Sequence, residues 1–235
     1  MEGISHSQEE SKEQQWQNER AIVDTLVDGL GLPIDEKIKE CVVALHLSGI
    51  DTSGSHEGKL NKYPAPYIDV QSTEALRLTE ELVSIQDKQT SDEEKSIRQE
   101  MYSLYDSLAS IKNKESEEAS RINTEIGHLY KKLEELPEGD STETAPLKEK
   151  ITIENLAERQ KLIDLVHLFN ITRNTEDENR LIVQPLGLGI SRLTNKGADI
   201  QENETDTKKI EERLHAFQAE MDAFTEFLKN RFLGR

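Results

Sequence analysis

The chain has 235 residues and a net charge of −18, with charged residues at 32% and apolar residues at only 34%. That balance excludes nucleic acid polymers and an anionic membrane surface as main partners, because both are bound by clustered Lys and Arg. It suits long solvated helices, which need only a narrow apolar stripe, better than a globule with a thick core. No run approaches the roughly 18 apolar residues of a membrane span, and the N-terminus has neither a basic region nor an apolar segment for export. The chain therefore reads as cytoplasmic. Its single cysteine, Cys41 beside Val42 and Val43, reads as a small buried hydrophobe rather than a reactive thiol.

Residues 1–15 are polar and read as a disordered tail. From 16 to 72 the pattern is that of the N-terminal part of an α+β domain. Ile22, Val23, Leu26, Val27 and Leu30 recur at helical spacing until Gly29 and Gly31 end the run. Pro33, Asp35 and Glu36 then open a second helix with Ile38, Val42 and Leu45 on one stripe and His46 beside it, closed by Gly49. The segment Thr52–Gly58, TSGSHEG, is a Gly/Ser loop between two short β-like runs. Tyr67 to Val70 is the next strand, with Pro64 and Pro66 marking an edge or entry position.

Residues 73–170 form a helical, coiled-coil-like hairpin. Leu78, Leu82 and Ile85 share one stripe, and Ser91 with Glu94 makes a capping box. Ile97, Met101, Leu104, Leu108 and Ile111 then step by 4, 3, 4 and 3, as do Ile122, Ile126, Leu129, Leu133 and Leu136. With no Gly or Pro between these seams, the pattern favours one helix over 92–136 with a polar interruption, the alternative being a break in KNKESEEAS. Residues 137–146, PEGDSTETAP, are the clearest loop, and a returning helix is expected over 147–169. Residues 171–205 complete the α+β domain with a strand at Leu181, Ile182 and Val183 and a Gly-rich bend, with a turn at TNKG. The last part, 206–235, carries a seam at Ile210, Leu214, Phe217, Met221, Phe224 and Leu228, which predicts a self-association helix. The fold class is thus α+β, predominantly helical, with a small antiparallel sheet built from the regions around residues 50–56, 66–70 and 180–194, a long helical hairpin and a C-terminal amphipathic helix.

Two Gly-rich segments carry the candidate site. In the first, Ser53, Ser55, His56, Glu57 and Lys59 surround Gly54 and Gly58, residues that permit close backbone approach to a polar ligand. In the second, LGLGISRLTNKGAD, Arg192 offers a planar fork and Lys196 a point charge, with Arg180 just upstream. Tyr63 and Tyr67 supply aromatic faces. The competing reading makes both segments ordinary turns. No P-loop spacing, H-E-x-x-H or paired metal spacing occurs, so neither a catalytic residue, a metal nor a cofactor is assigned.

The span LGLPIDEKIKECVVALHLSGIDTSGSHEG to YPAPYIDV resembles the N-terminal part of a group of uncharacterised bacterial proteins with a TSGS-x-EG loop followed by an aromatic strand after proline. That pattern carries Cys and His where this chain has His56 and Lys59, so a thiol or metal role does not carry over. The resemblance implies a shared site and no particular chemistry.

Three readings of function follow. The first is non-catalytic binding of a small anionic ligand, phosphorylated or nucleotide-derived, by a homo-oligomer associating through its helices. The second is a coiled-coil scaffold or adaptor. The third is a hydrolase or transferase using His56 and Glu57. Convergence of the two Gly-rich segments in one pocket favours the first reading, and their separation favours the second.

Overall fold

Ser11 opens the first helix by accepting a hydrogen bond on its side chain from the Gln14 N–H. Helix α1 (Lys12–Val23) thus begins inside the predicted tail and stops short of Leu30. Its expected stripe is not a buried one, for Trp16 and Val23 are enclosed whereas Ile22, Leu26 and Val27 are exposed. The computed structural model describes residues 10–27, 32–60, 65–111, 116–135, 141–201 and 206–235. Leu30 and its flanking glycines, like Tyr63, Pro64 and most of the first 15 residues, lie outside these segments. The chain divides into two compact units, one of Met1–Arg77 with Glu149–Arg235 and one of Leu78–Lys148.

In the first unit, α2 (Glu36–Leu47) buries Ile38, Cys41, Val42 and Leu45 and ends at Gly49, whose φ of 71° suits a residue without Cβ. Burial pushes the Cys41 thiol up to about 12, so it behaves as a hydrophobe. Four antiparallel strands follow in the order β1-β2-β4-β3: β1 (Thr52–His56), β2 (Tyr67–Val70), β3 (Leu181–Pro185) and β4 (Ser191–Asn195). These strands lie in the regions expected for the sheet, around residues 50–56, 66–70 and 180–194. The Gly/Ser segment TSGSH is itself a strand, at the sheet edge, where an irregularity between Thr52 and Gly54 absorbs Ser53. The proline-led strand β2 is interior; Pro66 precedes the first paired residue, Tyr67, and is never asked to donate to the ladder.

The β3–β4 turn falls at residues 186–190 rather than at TNKG, whose Thr194 and Asn195 are buried in β4. A short helix, α7 (Ala198–Gln201), follows. Ile68, Val70, Leu181 and Leu193 on one sheet face join a core with α2, with Leu162, Val166 and Phe169, and with Met221, Phe224 and Leu228. The last three belong to α8 (Thr207–Leu233), capped by Asp206 and by Gly234 in the left-handed region. Its heptad seam is therefore buried inside its own chain. A continuous amphipathic stripe predicts that something covers it, and here α2 does so.

Helices α3 (Thr73–Gln89) and α6 (Ser141–Ile171) each contribute to both units. The second unit centres on α4 (Asp92–Ser110) and α5 (Glu117–Glu135). Over 92–136 the favoured single helix gives way to the alternative, two helices: Ile111 is extended, and the Ser116 hydroxyl accepts the Ala119 N–H at the start of α5. Ile97 and Met101 bury themselves against Ile122, Ile126 and Leu129, so each seam is the other's partner. A continuous rod would have left both seams wet. The second half of the expected 137–146 loop is already α6, which carries Pro146 near its start. Among the described residues no helix is long and apolar enough to cross a membrane.

Candidate functional site

Three glycines of the two segments, Gly58, Gly189 and Gly197, are packed tightly against the chain itself, whereas a Cβ at Gly54 would meet only Asp69 at 3.6 Å and one at Gly187 nothing within 4 Å. Gly189 has φ 76°, and a Cβ there would stand 2.9 Å from the Thr152 carbonyl oxygen of α6. Side chains of α6 hold the same turn. Asn155 donates to the Leu188 carbonyl (2.9 Å), and Arg159 donates to the Ser191 hydroxyl (2.6 Å) and to the Gly189 and Ile190 carbonyls (3.0 Å each). A Cβ at Gly197 would meet the Glu178 carbonyl at 3.0 Å, and one at Gly58, where φ is 81°, would meet Leu214 at 2.7 Å. Each of these three glycines thus serves a close internal contact.

The register also separates the two segments. His56 pairs Tyr67, which pairs Thr194, whereas Thr52 pairs Val70, which pairs Ser191. Residues 57–59 therefore leave one end of the sheet and the 186–190 turn closes the other. Of the predicted residues, the sheet brings His56, Tyr67 and Arg192 together on one face. Arg192 Nε and Nη2 donate to the Asp69 carboxylate at 2.7 and 2.8 Å, its guanidinium lies 3.9 Å from the Tyr67 ring centre, and that ring stacks on His56 at 5.9 Å. The planar fork foreseen for an anion grips an internal carboxylate. Lys196 pairs with Asp177, and Arg180 is exposed just before β3, which two strands separate from β1. Ser53 is exposed and Ser55 half-buried on β1.

Glu57 and Lys59 belong to the start of α2. The Glu57 carboxylate accepts the Lys37 N–H at 3.4 Å, and the Glu57 N–H donates to Asp35 at 3.3 Å. Burial pushes the Asp35 carboxyl up, but the bonds from Lys59 and from the Glu57 N–H outweigh it and hold the group below its usual range. The Gly58 N–H donates to His56 Nδ1 at 2.9 Å, which assigns the ring proton to Nε2, 3.9 Å from Asp35. The basic nitrogen of His56 is thus occupied, and the ring is not arranged as a general base. An adjoining cavity of about 190 Å³ is lined by Lys37, Glu57, Gln218 and Asp222. Burial pushes Asp222 up, Lys37 opposing and Glu226 adding. Two carboxylates against one lysine do not suit a phosphate.

The two cations therefore differ in what their removal does. Arg192→Ala should destabilise the first unit by about 1–2 kcal/mol, since it strands the partly buried Asp69 and uncovers Tyr67. Lys196→Ala, on an exposed pair, should leave the melting temperature unchanged. Thermal melts of the two variants check the contrast.

A second constellation has no signature in residue spacing. Glu19 of α1, His46 of α2 and Thr52 of β1 form a line, with His46 Nδ1 2.8 Å from Glu19 Oε1 and His46 Nε2 2.9 Å from the Thr52 hydroxyl. His46 lies in the last turn of α2 and Thr52 is the first residue of β1, so the helix-Gly-strand connection brings them face to face. That much was open to a reader of LHLSGIDT. Glu19, on a helix far away in sequence, was not. Asp51 anchors the corner by accepting the Thr73 N–H and hydroxyl at 2.8 and 2.6 Å. Among the described residues, no group of three or more His, Cys, Asp or Glu is placed to hold a metal ion. No protein family, no curated protein and no solved structure matches this chain.

Proposed function

We propose that the protein is an interaction scaffold whose α4–α5 hairpin docks a basic, helical protein segment. The observation that carries this reading is the distribution of tyrosine. Three of the chain's five tyrosines are exposed on that hairpin: Tyr102 at 67%, Tyr105 at 40% and Tyr130 at 49%. Tyr102 and Tyr105 are neighbours on one helix face, and the Tyr105 and Tyr130 hydroxyls lie 2.9 Å apart across the hairpin. Exposed tyrosines in a group supply rigid contact area at little entropic cost, and aromatic residues are enriched at binding hot spots. The net charge of −18 selects a cationic partner, and Arg or Lys stacks on tyrosine faces. The same repulsion disfavours a second copy of this chain on that surface.

Support for this reading over a phosphate pocket comes from the engagement of Arg192, Lys196, Gly58, Gly189 and Gly197 in internal contacts. The test is a titration of the full chain with a synthetic amphipathic helix rich in Arg. Binding should weaken at least tenfold in the Tyr102→Ala, Tyr105→Ala, Tyr130→Ala variant, which keeps every charge. Equal affinity in that variant would show that the peptide follows net charge alone and would remove the tyrosines from the reading.

A further inference from the structure

We infer that Thr52, His46 and Glu19 form a nucleophilic relay that hydrolyses small acyl esters, a role that goes beyond docking and rests on different residues. The assignment follows from hydrogen-bond direction. An ionised carboxylate only accepts, so the 2.8 Å contact places the His46 proton on Nδ1, facing Glu19. In the neutral ring, Nε2 then carries the lone pair, and the Thr52 hydroxyl 2.9 Å away donates to it. Nucleophile, base and orienting acid are thereby in the sequence that activates a hydroxyl. His56 has the reverse arrangement, its Nδ1 being occupied by a backbone N–H.

The surroundings fit attack from outside. Side chains of His46 and Glu19 are 20% and 21% exposed, sheltered but within reach of solvent. Thr52 is half-buried on an edge strand, and the irregularity beside it leaves Ser53 exposed. β1 is an edge strand, and the outer side of an edge strand carries N–H groups without a ladder partner, the kind of donor a developing oxyanion needs. Asp51 and Lys161 border the site: burial pushes the Asp51 carboxyl up, but the bonds from the Thr73 hydroxyl and N–H outweigh it and hold the group below its usual range. The neighbouring carboxylates Glu19 and Asp51 select neutral or cationic acyl groups.

In the first half-reaction the Thr52 oxygen bonds to the acyl carbon while its proton passes to His46 Nε2. The tetrahedral adduct then expels the alcohol, which takes that proton. In the second, water attacks the acyl-threonine, His46 again takes the proton, and the bond to the Thr52 oxygen breaks as that oxygen is reprotonated. The balance is ester and water to acid and alcohol. Glu19 touches neither substrate nor reacting atom and is a positioning residue.

Hydrolysis of p-nitrophenyl acetate by the full chain, with mapping of acetylated residues by mass spectrometry, tests the relay. The expected result is an acetyl group on Thr52, retained in Thr52→Ser, and hydrolysis at the buffer rate in Thr52→Val. His46→Gln should lower kcat about 10²-fold or more. Glu19→Gln should lower kcat with KM unchanged, a split that loose packing would not produce. Wild-type hydrolysis no faster than that of Thr52→Val, or acetylation elsewhere with Thr52 unmodified, would overturn the assignment. Adduct mapping on the wild type decides the matter even if a variant fails to fold. The peptide titration reads the tyrosines and the adduct map reads Thr52, so failure of the docking reading and failure of this one are separately visible.

Discussion

Replacing Leu214 and Met221 together with Glu should unfold the first unit rather than separate subunits. Met221 is 2% exposed and Leu214 6%, the former touching Cys41 at 3.8 Å and the latter standing over Gly58. Each substitution buries a carboxylate where an apolar side chain packs, and at 221 the lysine lining the adjoining cavity, Lys37, already faces Glu57 and Asp222, so each costs several kcal/mol and the pair reaches the size of a typical domain's whole stability, about 5–15 kcal/mol. Far-UV circular dichroism should show helix lost from the first unit together with its melting transition. A variant that kept the wild-type melt while its sedimentation coefficient fell would mean that the α8 seam faces another subunit instead.

Gly189→Val should be the most damaging single change in the 186–190 turn. Two costs combine: a β-branched residue at φ 76° is strained by about 1–3 kcal/mol, and its Cβ would stand 2.9 Å from the Thr152 carbonyl and 3.0 Å from the Asn155 side chain. Neither neighbour yields easily, since Thr152 belongs to the α6 backbone and Asn155 bonds both Ser72 and Leu188. A loss of about 3–5 kcal/mol is expected in urea unfolding. Gly187→Ala, with nothing within 4 Å of its added Cβ, is the control and should change stability little. If the two variants melted alike, the turn would not be seated on α6 as described.

The fold was legible where periodicity was long and the partner local. The α8 seam, the β3–β4 pair and the Ser91 cap all follow from residue pattern, because spacing alone decides which face is apolar. What spacing does not hold is the identity of the partner. The seams of α4 and α5 read equally well as one rod, since each heptad specifies an apolar face and not what meets it. The same ambiguity made α8 look like an oligomer surface.

At the candidate site the failure has a different cause. Glycine marks close approach of backbone to something, and the sequence does not say whether that something is a ligand or α6. Arg192 was legible as a cation but its partner was not, because Asp69 lies on another strand and meets it only through the β2–β4 register. His56 drew attention through its loop-like neighbours, whereas His46, placed in a helix by its pattern, has the better-arranged imidazole.

Hydrogen–deuterium exchange of the full chain, with and without the Arg-rich helical peptide, locates the docking surface most directly. Added protection is expected in α4 and α5 around Tyr102, Tyr105 and Tyr130, with residues 52–59 and 187–197 unchanged. Protection confined to those two Gly-rich segments, with the hairpin exchanging as before, would contradict the scaffold reading and return the function to the sheet.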